Sequence, residues 1–144
     1  MKNTRGSFIK PIPTIVAGIK FDSKYESQVY LELVRRFGSK NVEPHFELAL
    51  KPKTDKFPRL DWKVDFKVTY NRWNYFYEAK GYPKEEFILK VKLLEWINPS
   101  AYASLFIVCS NNQRSTISRK TKLPLDRVIT KGMIQTHQID FLED

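Results

Sequence analysis

With 144 residues, 42% of them hydrophobic and 14% aromatic, the chain excludes general disorder and is long enough to bury a core without disulfides or a structural metal. It carries 25 lysines and arginines against 16 aspartates and glutamates, a formal charge of +9. That excess concentrates polyanions, nucleic acid first among them, with an ordinary basic solubility charge as the plainer reading. Cys109 has no disulfide partner, His45 and His137 show no zinc-ligand spacing, and no run has the length of a signal peptide or of the ~20-residue apolar membrane span. An intracellular, cytoplasmic protein without membrane contact is expected.

Residues 1–18 carry Lys2, Arg5 and Lys10 with Pro11 and Pro13 and read as an extended basic arm, leaving 19–144 as a single domain. The arm suits a DNA backbone, exchange with a partner subunit or a loose terminus. From Ser23 to about Phe37, the stripe Tyr25, Val29, Leu33 and Phe37 predicts a helix that Gly38 closes. Ser23-Lys24-Tyr25-Glu26 has the spacing of a capping box, in which Glu26 reaches back to the Ser23 amide. Phe46, Leu48 and Leu50 alternate with His45, Glu47 and Ala49, a first strand bracketed by Pro44 and Pro52. The following loop holds Lys51, Lys53, Lys56 and Arg59, either a DNA-facing flap or a solvated hairpin loop.

Between Asp61 and Gly81 two further strands are predicted. In the first, Trp62, Val64, Phe66, Val68 and Tyr70 share one face and Asp61, Lys63, Asp65, Lys67 and Thr69 the other. In the second, Phe76, Glu78 and Lys80 share one side. A short Asn71-Arg72-Trp73-Asn74 connection makes an antiparallel hairpin that brings Asp65 near Glu78. Phosphodiester hydrolysis needs charge neutralised on the phosphate and a water made nucleophilic. Magnesium supplies both, usually on one or two carboxylates with water and substrate phosphate completing its shell. Asp65, Glu78 and the carbonyl of Ala79 fit that demand, with manganese expected to substitute. Lys80 could orient or help deprotonate the water, or stabilise charge on the phosphate. Taken alone, a Glu-x-Lys on a strand face is more often a solvated pair.

After Pro83, Lys84 to Ile97 predicts a helix with Phe87, Val91 and Leu94 on its apolar stripe, Trp96 and Ile97 widening it and Pro99 ending it. Lys84 lies near enough to Lys80 in sequence to be a phosphate contact. A right-handed crossover through this helix would set Leu105 to Cys109 parallel to the Glu78 strand, with Cys109 packed in the core. Asn111 to Lys122, with Arg114, Arg119 and Lys120 as candidate DNA contacts, suits a DNA-binding loop, a short helix or a plain surface connection. Met133 to Phe141 could supply a last edge strand.

Asp65 with Glu78-Ala79-Lys80, preceded by Glu26 in a helix, resembles the PD-(D/E)XK nuclease superfamily. Ile19 to Leu33, followed by PHFELALKP and the two motif strands, is similar to its small phage-type endonucleases. The resemblance spans roughly Ile19 to Cys109. It implies a restriction-endonuclease-like α/β core of one helix, three antiparallel strands, a crossover helix and a fourth strand in a mixed central sheet. It maps Asp65, Glu78 and Lys80 onto the family's acid, acid and lysine, and Glu26 onto a helical glutamate that many members add as a metal ligand. Val64 stands where the motif's name has proline. The function so implied is a magnesium-dependent DNA endonuclease of phage or mobile-element type, leaving a 3′ hydroxyl and a 5′ phosphate. Its substrate would be either a specific duplex site, as in restriction or homing, or branched DNA, as in junction resolution. A homodimer or higher homo-oligomer is expected, because both strands of a duplex must be cut. The alternative class is a non-catalytic DNA-binding module on the same fold, which would have no need to keep all three of Asp65, Glu78 and Lys80.

Overall fold

The computed structural model describes residues 14–139. Strands β1 (Thr14–Val16) and β2 (Ile19–Phe21) pair antiparallel around Ala17 and Gly18, both at positive φ. The last part of the expected arm is thus a strand, while Lys2, Arg5 and Lys10 lie outside the described residues. Helix α1 (Lys24–Phe37) begins where the Ser23 hydroxyl accepts the Glu26 N–H at 3.1 Å. It ends at Gly38, whose φ of 87° few other residues adopt cheaply and whose N–H donates to the Val34 carbonyl.

A five-stranded sheet carries the rest, in the spatial order β3 (Val42–Lys51), β4 (Leu60–Tyr70), β5 (Trp73–Ala79), β6 (Leu105–Val108) and β7 (Val128–Ile129). The first three are mutually antiparallel, and β6 and β7 run parallel to β5. Helices α2 (Glu85–Ile97) and α3 (Pro99–Ala103) form the crossover from β5 to β6, and α4 (Arg114–Thr121) precedes β7. The architecture is α/β with a mixed central sheet. Among the described residues no helix is long and apolar enough to cross a membrane.

Each face of the sheet buries its own core. On one, Val29, Leu33 and Phe37 of α1 pack with Phe21, Phe66, Val68, Tyr75, Tyr77 and Phe106. On the other, Phe87, Val91 and Leu94 of α2 pack with Leu48, Leu50, Trp62, Val64, Phe76 and Ile107. The expected single stripe of β4 is therefore divided: Trp62 and Val64 belong to one core, Phe66 and Val68 to the other. The same division occurs in β3, where His45 stands at a φ of 58° between the pairs Pro44–Phe66 and Phe46–Val64. A left-handed residue turns its own strand over, so in β3 Val42 before it joins the α1 core while Leu48 and Leu50 after it join the α2 core. Asp65 lies across from that point.

Other expectations are corrected too. Pro44 sits inside β3, tolerated because β3 is an edge strand. Pro99 starts α3 instead of merely ending α2, with the Asn98 side chain accepting the Ala101 N–H. Trp96 does not widen the core stripe; it is 78% exposed, because α2 already fills its sheet-facing side with Phe87, Ile88, Val91 and Leu94. Of the forms open to residues 111–122, the short helix is the one adopted, as α4. Met133 to Ile139 form no strand, Asp140 and Phe141 lie outside the described residues, and β7 supplies the sheet edge. Cys109 is buried as expected, and burial pushes its thiol up to about 11, which leaves it unreactive.

What fixes residues 133–139 is side chains. The Arg36 Nη1 donates to the carbonyls of Ile134 (2.8 Å) and His137 (2.7 Å), and the Tyr75 hydroxyl donates to the Ile139 carbonyl. His137 Nε2 lies 2.8 Å from the Tyr77 hydroxyl and accepts a hydrogen bond from it, which leaves the Nδ1 hydrogen for the carbonyls of Ile134 and Met133.

The β4–β5 turn carries Asn71 and Arg72 at φ of 51° and 70°. Two central residues in this region define the tight hairpin turn that glycine occupies most easily at the second place. Arg72→Gly is expected to stabilise the fold by up to about 1 kcal/mol, the relief of left-handed strain less the entropy of glycine. Equilibrium urea unfolding measures it, and a lower midpoint would contradict it.

Candidate active site

Regular pairing of β4 with β5 ends at Phe66–Tyr77, and the next residues are Asp65 and Glu78. There the side chains take over from the backbone ladder. The Asp65 N–H donates to Glu78 Oε1 at 3.0 Å, and the Ala79 N–H donates to Asp65 Oδ2 at 2.8 Å. Each strand's amide is thus satisfied by the other strand's carboxylate, which holds two acids side by side as the strands part. Tertiary structure fulfils the hairpin expectation here, including the shared side of Glu78 and Lys80. The Lys80 Nζ lies 3.4 Å from Glu78 Oε2 and 4.9 Å from the Phe87 ring centre, and the Lys80 N–H donates to the Val108 carbonyl.

Glu26 enters from the start of α1. Its Oε1 accepts the Asp22 N–H at 3.0 Å, one residue further back than the capping box predicts, and its Oε2 lies 4.0 Å from His45 Nδ1. The His45 Nε2 is 3.0 Å from the Lys20 carbonyl, to which it donates, so Nδ1 is the nitrogen turned to Glu26. The helix-starting and cleft-facing roles of Glu26 are therefore compatible. Asp22, Ser23, Glu26, Asp65, Glu78, Ala79, Lys80 and Gly81 line one cleft of about 240 Å³.

Electrostatically the cleft is strained by its own acids. Burial first, then the Glu78 charge, then contact with the Glu26 carboxyl, raise Asp65 well above the usual carboxylate range; the Ala79 N–H opposes this. Burial also raises Glu78, against the lowering effects of Lys80 and the Asp65 N–H. Without a further cation such a pair holds a proton more tightly than two free carboxylates would, and a divalent ion would compete with that proton. Among the described residues no three His, Cys, Asp or Glu side chains stand gathered as a metal-ligand group. The donor set that fits is smaller: Asp65, Glu78 and the Ala79 carbonyl, with Glu26 beside Asp65. Two carboxylates and a carbonyl are the share of a magnesium shell that proteins commonly provide.

Of the expected DNA contacts, Lys84 alone reaches this neighbourhood, lining a second cleft that also contains Glu78 and Lys80. Lys51 is exposed at the end of β3, Lys53 and Lys56 on the β3–β4 loop, and Arg119 and Lys120 on the last turn of α4; none lines either cleft. Arg59 is bound by Asp61 Oδ2, at 3.0 Å from Nε and 2.8 Å from Nη2. Arg114 donates to the carbonyls of Val128 and Leu125 and so braces β7. Two neighbours of the site were not expected there: His45, beside Glu26, and Tyr82, which lines the second cleft with Lys84. His45 carries no sequence signal for a left-handed strand residue, whereas Tyr82 could have been noticed directly after Gly81.

No family model, curated protein or solved structure matches the chain.

Proposed function

We propose that the chain is a magnesium-dependent DNA endonuclease of the PD-(D/E)XK class, of phage or mobile-element type. The observation that carries this reading is the reciprocal bonding of Asp65 and Glu78 across parting strands, with Lys80 on the same side as Glu78. The element order supports it: a helix bearing Glu26, three antiparallel strands, a crossover helix and a parallel fourth strand. Asp65, Glu78 and the Ala79 carbonyl would hold magnesium, with Glu26 assisting. When bound, the ion supplies charge neutralisation on the phosphate and a more acidic water. Lys80, restrained by Glu78 and the Phe87 ring, presents ammonium hydrogens to the phosphate oxygens or to the attacking water. The net charge of +9 draws DNA to the surface in a salt-dependent manner. Cutting both strands calls for two copies, so a homodimer or larger homo-oligomer is part of the proposal.

The test is cleavage with magnesium of a synthetic four-way junction and of random linear duplexes, with the ends sequenced. Cuts near the branch identify a structure-selective enzyme, and one enriched motif a site-specific one. Binding without cutting of either would overturn the reading in favour of a non-catalytic module. Lys80→Ala is expected to slow cleavage by about 100-fold or more while calorimetry still detects magnesium binding. Loss of magnesium binding in that variant would show that Lys80 does not have the assigned role.

A further inference from the structure

The acidic cleft meets a second one at Glu78 and Lys80. This neighbour, about 200 Å³, is aromatic and cationic, lined further by Trp62, Tyr82, Lys84, Phe87 and Lys90, with Glu86 at its side. Trp62 and Phe87 are buried and fixed edge to face, their ring centres 6.2 Å apart, and form a rigid wall. Tyr82 is 56% exposed, and among the described residues its ring stacks on no other and its hydroxyl has no hydrogen-bond partner. Lys90 is 3.9 Å from Glu86, which offsets its charge. Lys84 makes no ion pair among the described residues and is the cation on offer.

The volume is several times the ~30 Å³ share of a water and below the roughly 300 Å³ at which drug-sized pockets begin. It suits one planar ring system and not a duplex. An exposed aromatic ring beside a lysine is also the usual equipment for holding single-stranded nucleic acid, since every base has a face to stack and every nucleotide a phosphate. The position of the cleft, sharing Lys80 with the acidic one, makes its occupant a neighbour of the phosphate to be cut.

We propose that this cleft receives, as an unpaired base, the nucleotide next to the scissile phosphate, with its ring on Tyr82 and its phosphate on Lys84. The inference rests on the nuclease reading and adds a substrate class to it: DNA whose base beside the cut is already out of the helix, as at a branch, bulge or mismatch. A paired base must first be unstacked, which disfavours uniform duplex.

The experiment places 2-aminopurine, whose fluorescence reports stacking, beside the cut position mapped with wild-type protein, in matched oligonucleotides with that base either bulged or paired. Calcium replaces magnesium so that binding is read without cutting. Wild type is expected to change the emission of the bulged probe. Tyr82→Ala should abolish the change and weaken binding of the bulged DNA about tenfold, whereas Tyr82→Phe should retain both. An unaltered signal in Tyr82→Ala, or equal cleavage of paired and bulged DNA by wild type, would overturn the proposal while leaving the nuclease intact. Failure of wild type to cut any DNA would overturn both.

Discussion

Asp65→Asn is expected to slow DNA cleavage by about 1,000-fold or more, a loss of roughly 4 kcal/mol of transition-state stabilisation, and to make the metal-free protein more stable. The amide has the size of the carboxyl and can still accept the Ala79 N–H through its oxygen, so the splice between β4 and β5 survives. What disappears is an anion held beside Glu78 and Glu26. The sign follows from linkage. The folded-state Asp65 is raised by burial and by those neighbours, so the folded protein binds more protons than the unfolded chain between the two titration points. Stability from this group is complete below the unfolded value and declines as pH rises through the folded one. The variant lacks that decline. Its melting temperature without metal should exceed that of wild type at about pH 8 and converge with it near pH 4. Paired thermal melts and cleavage assays check both halves. A variant that melts lower than wild type at the higher pH would make Asp65 a structural residue.

The opposite sign governs His137. Burial first, and then the Arg36 charge, lower its imidazole to about 4. The unfolded chain takes up a proton near 6.5 and the folded chain does not, so stability is full above that value and falls as pH drops toward 4. Across the window the loss is about 3 kcal/mol, a large share of what holds a domain of this size together. Urea midpoints followed from about pH 7 to pH 5 should drop steeply in wild type and less in His137→Gln, which has no group to titrate there. Parallel slopes would assign the acid sensitivity elsewhere. The two effects oppose one another, and comparing each variant with wild type separates them.

Much of this was legible in the residues. Ser23 and Gly38 bound α1 because a hydroxyl and a flexible backbone meet needs that every helix end has. The pairing of Asp65 with Glu78 follows from strand period and a short turn, and the crossover to Leu105 follows from a helix-length apolar pattern between two strands. What escaped was decided by single residues acting against a period. His45 turns β3 over without announcing it in composition, and the stripe of β4 opposite divides between two cores at the same point. Apolar residues on nearly every side of α2 hid which of them faces solvent, and Trp96 was assigned to the wrong side. Arg114 looks like a surface cation and is a brace, because its partners are carbonyls that no pattern displays. In the site, the acids and the lysine could be found from spacing. His45 and Tyr82 depend on what the folded chain sets beside them.

The clasp between Arg36 and residues 134–137 spans about a hundred positions of the chain. During synthesis α1 emerges early, yet the carbonyls that engage Arg36 and the imidazole that meets Tyr77 are made some hundred peptide bonds later. Until Ile139 has cleared the ribosome, the aromatic layer under α1 lacks the part of its cover that residues 134–139 supply. Closing so long a loop carries an entropy cost that slows folding. Ribosome-bound chains ending before that point would leave Tyr75, Tyr77 and Phe106 partly uncovered, which makes the nascent protein more prone to aggregate than its finished form.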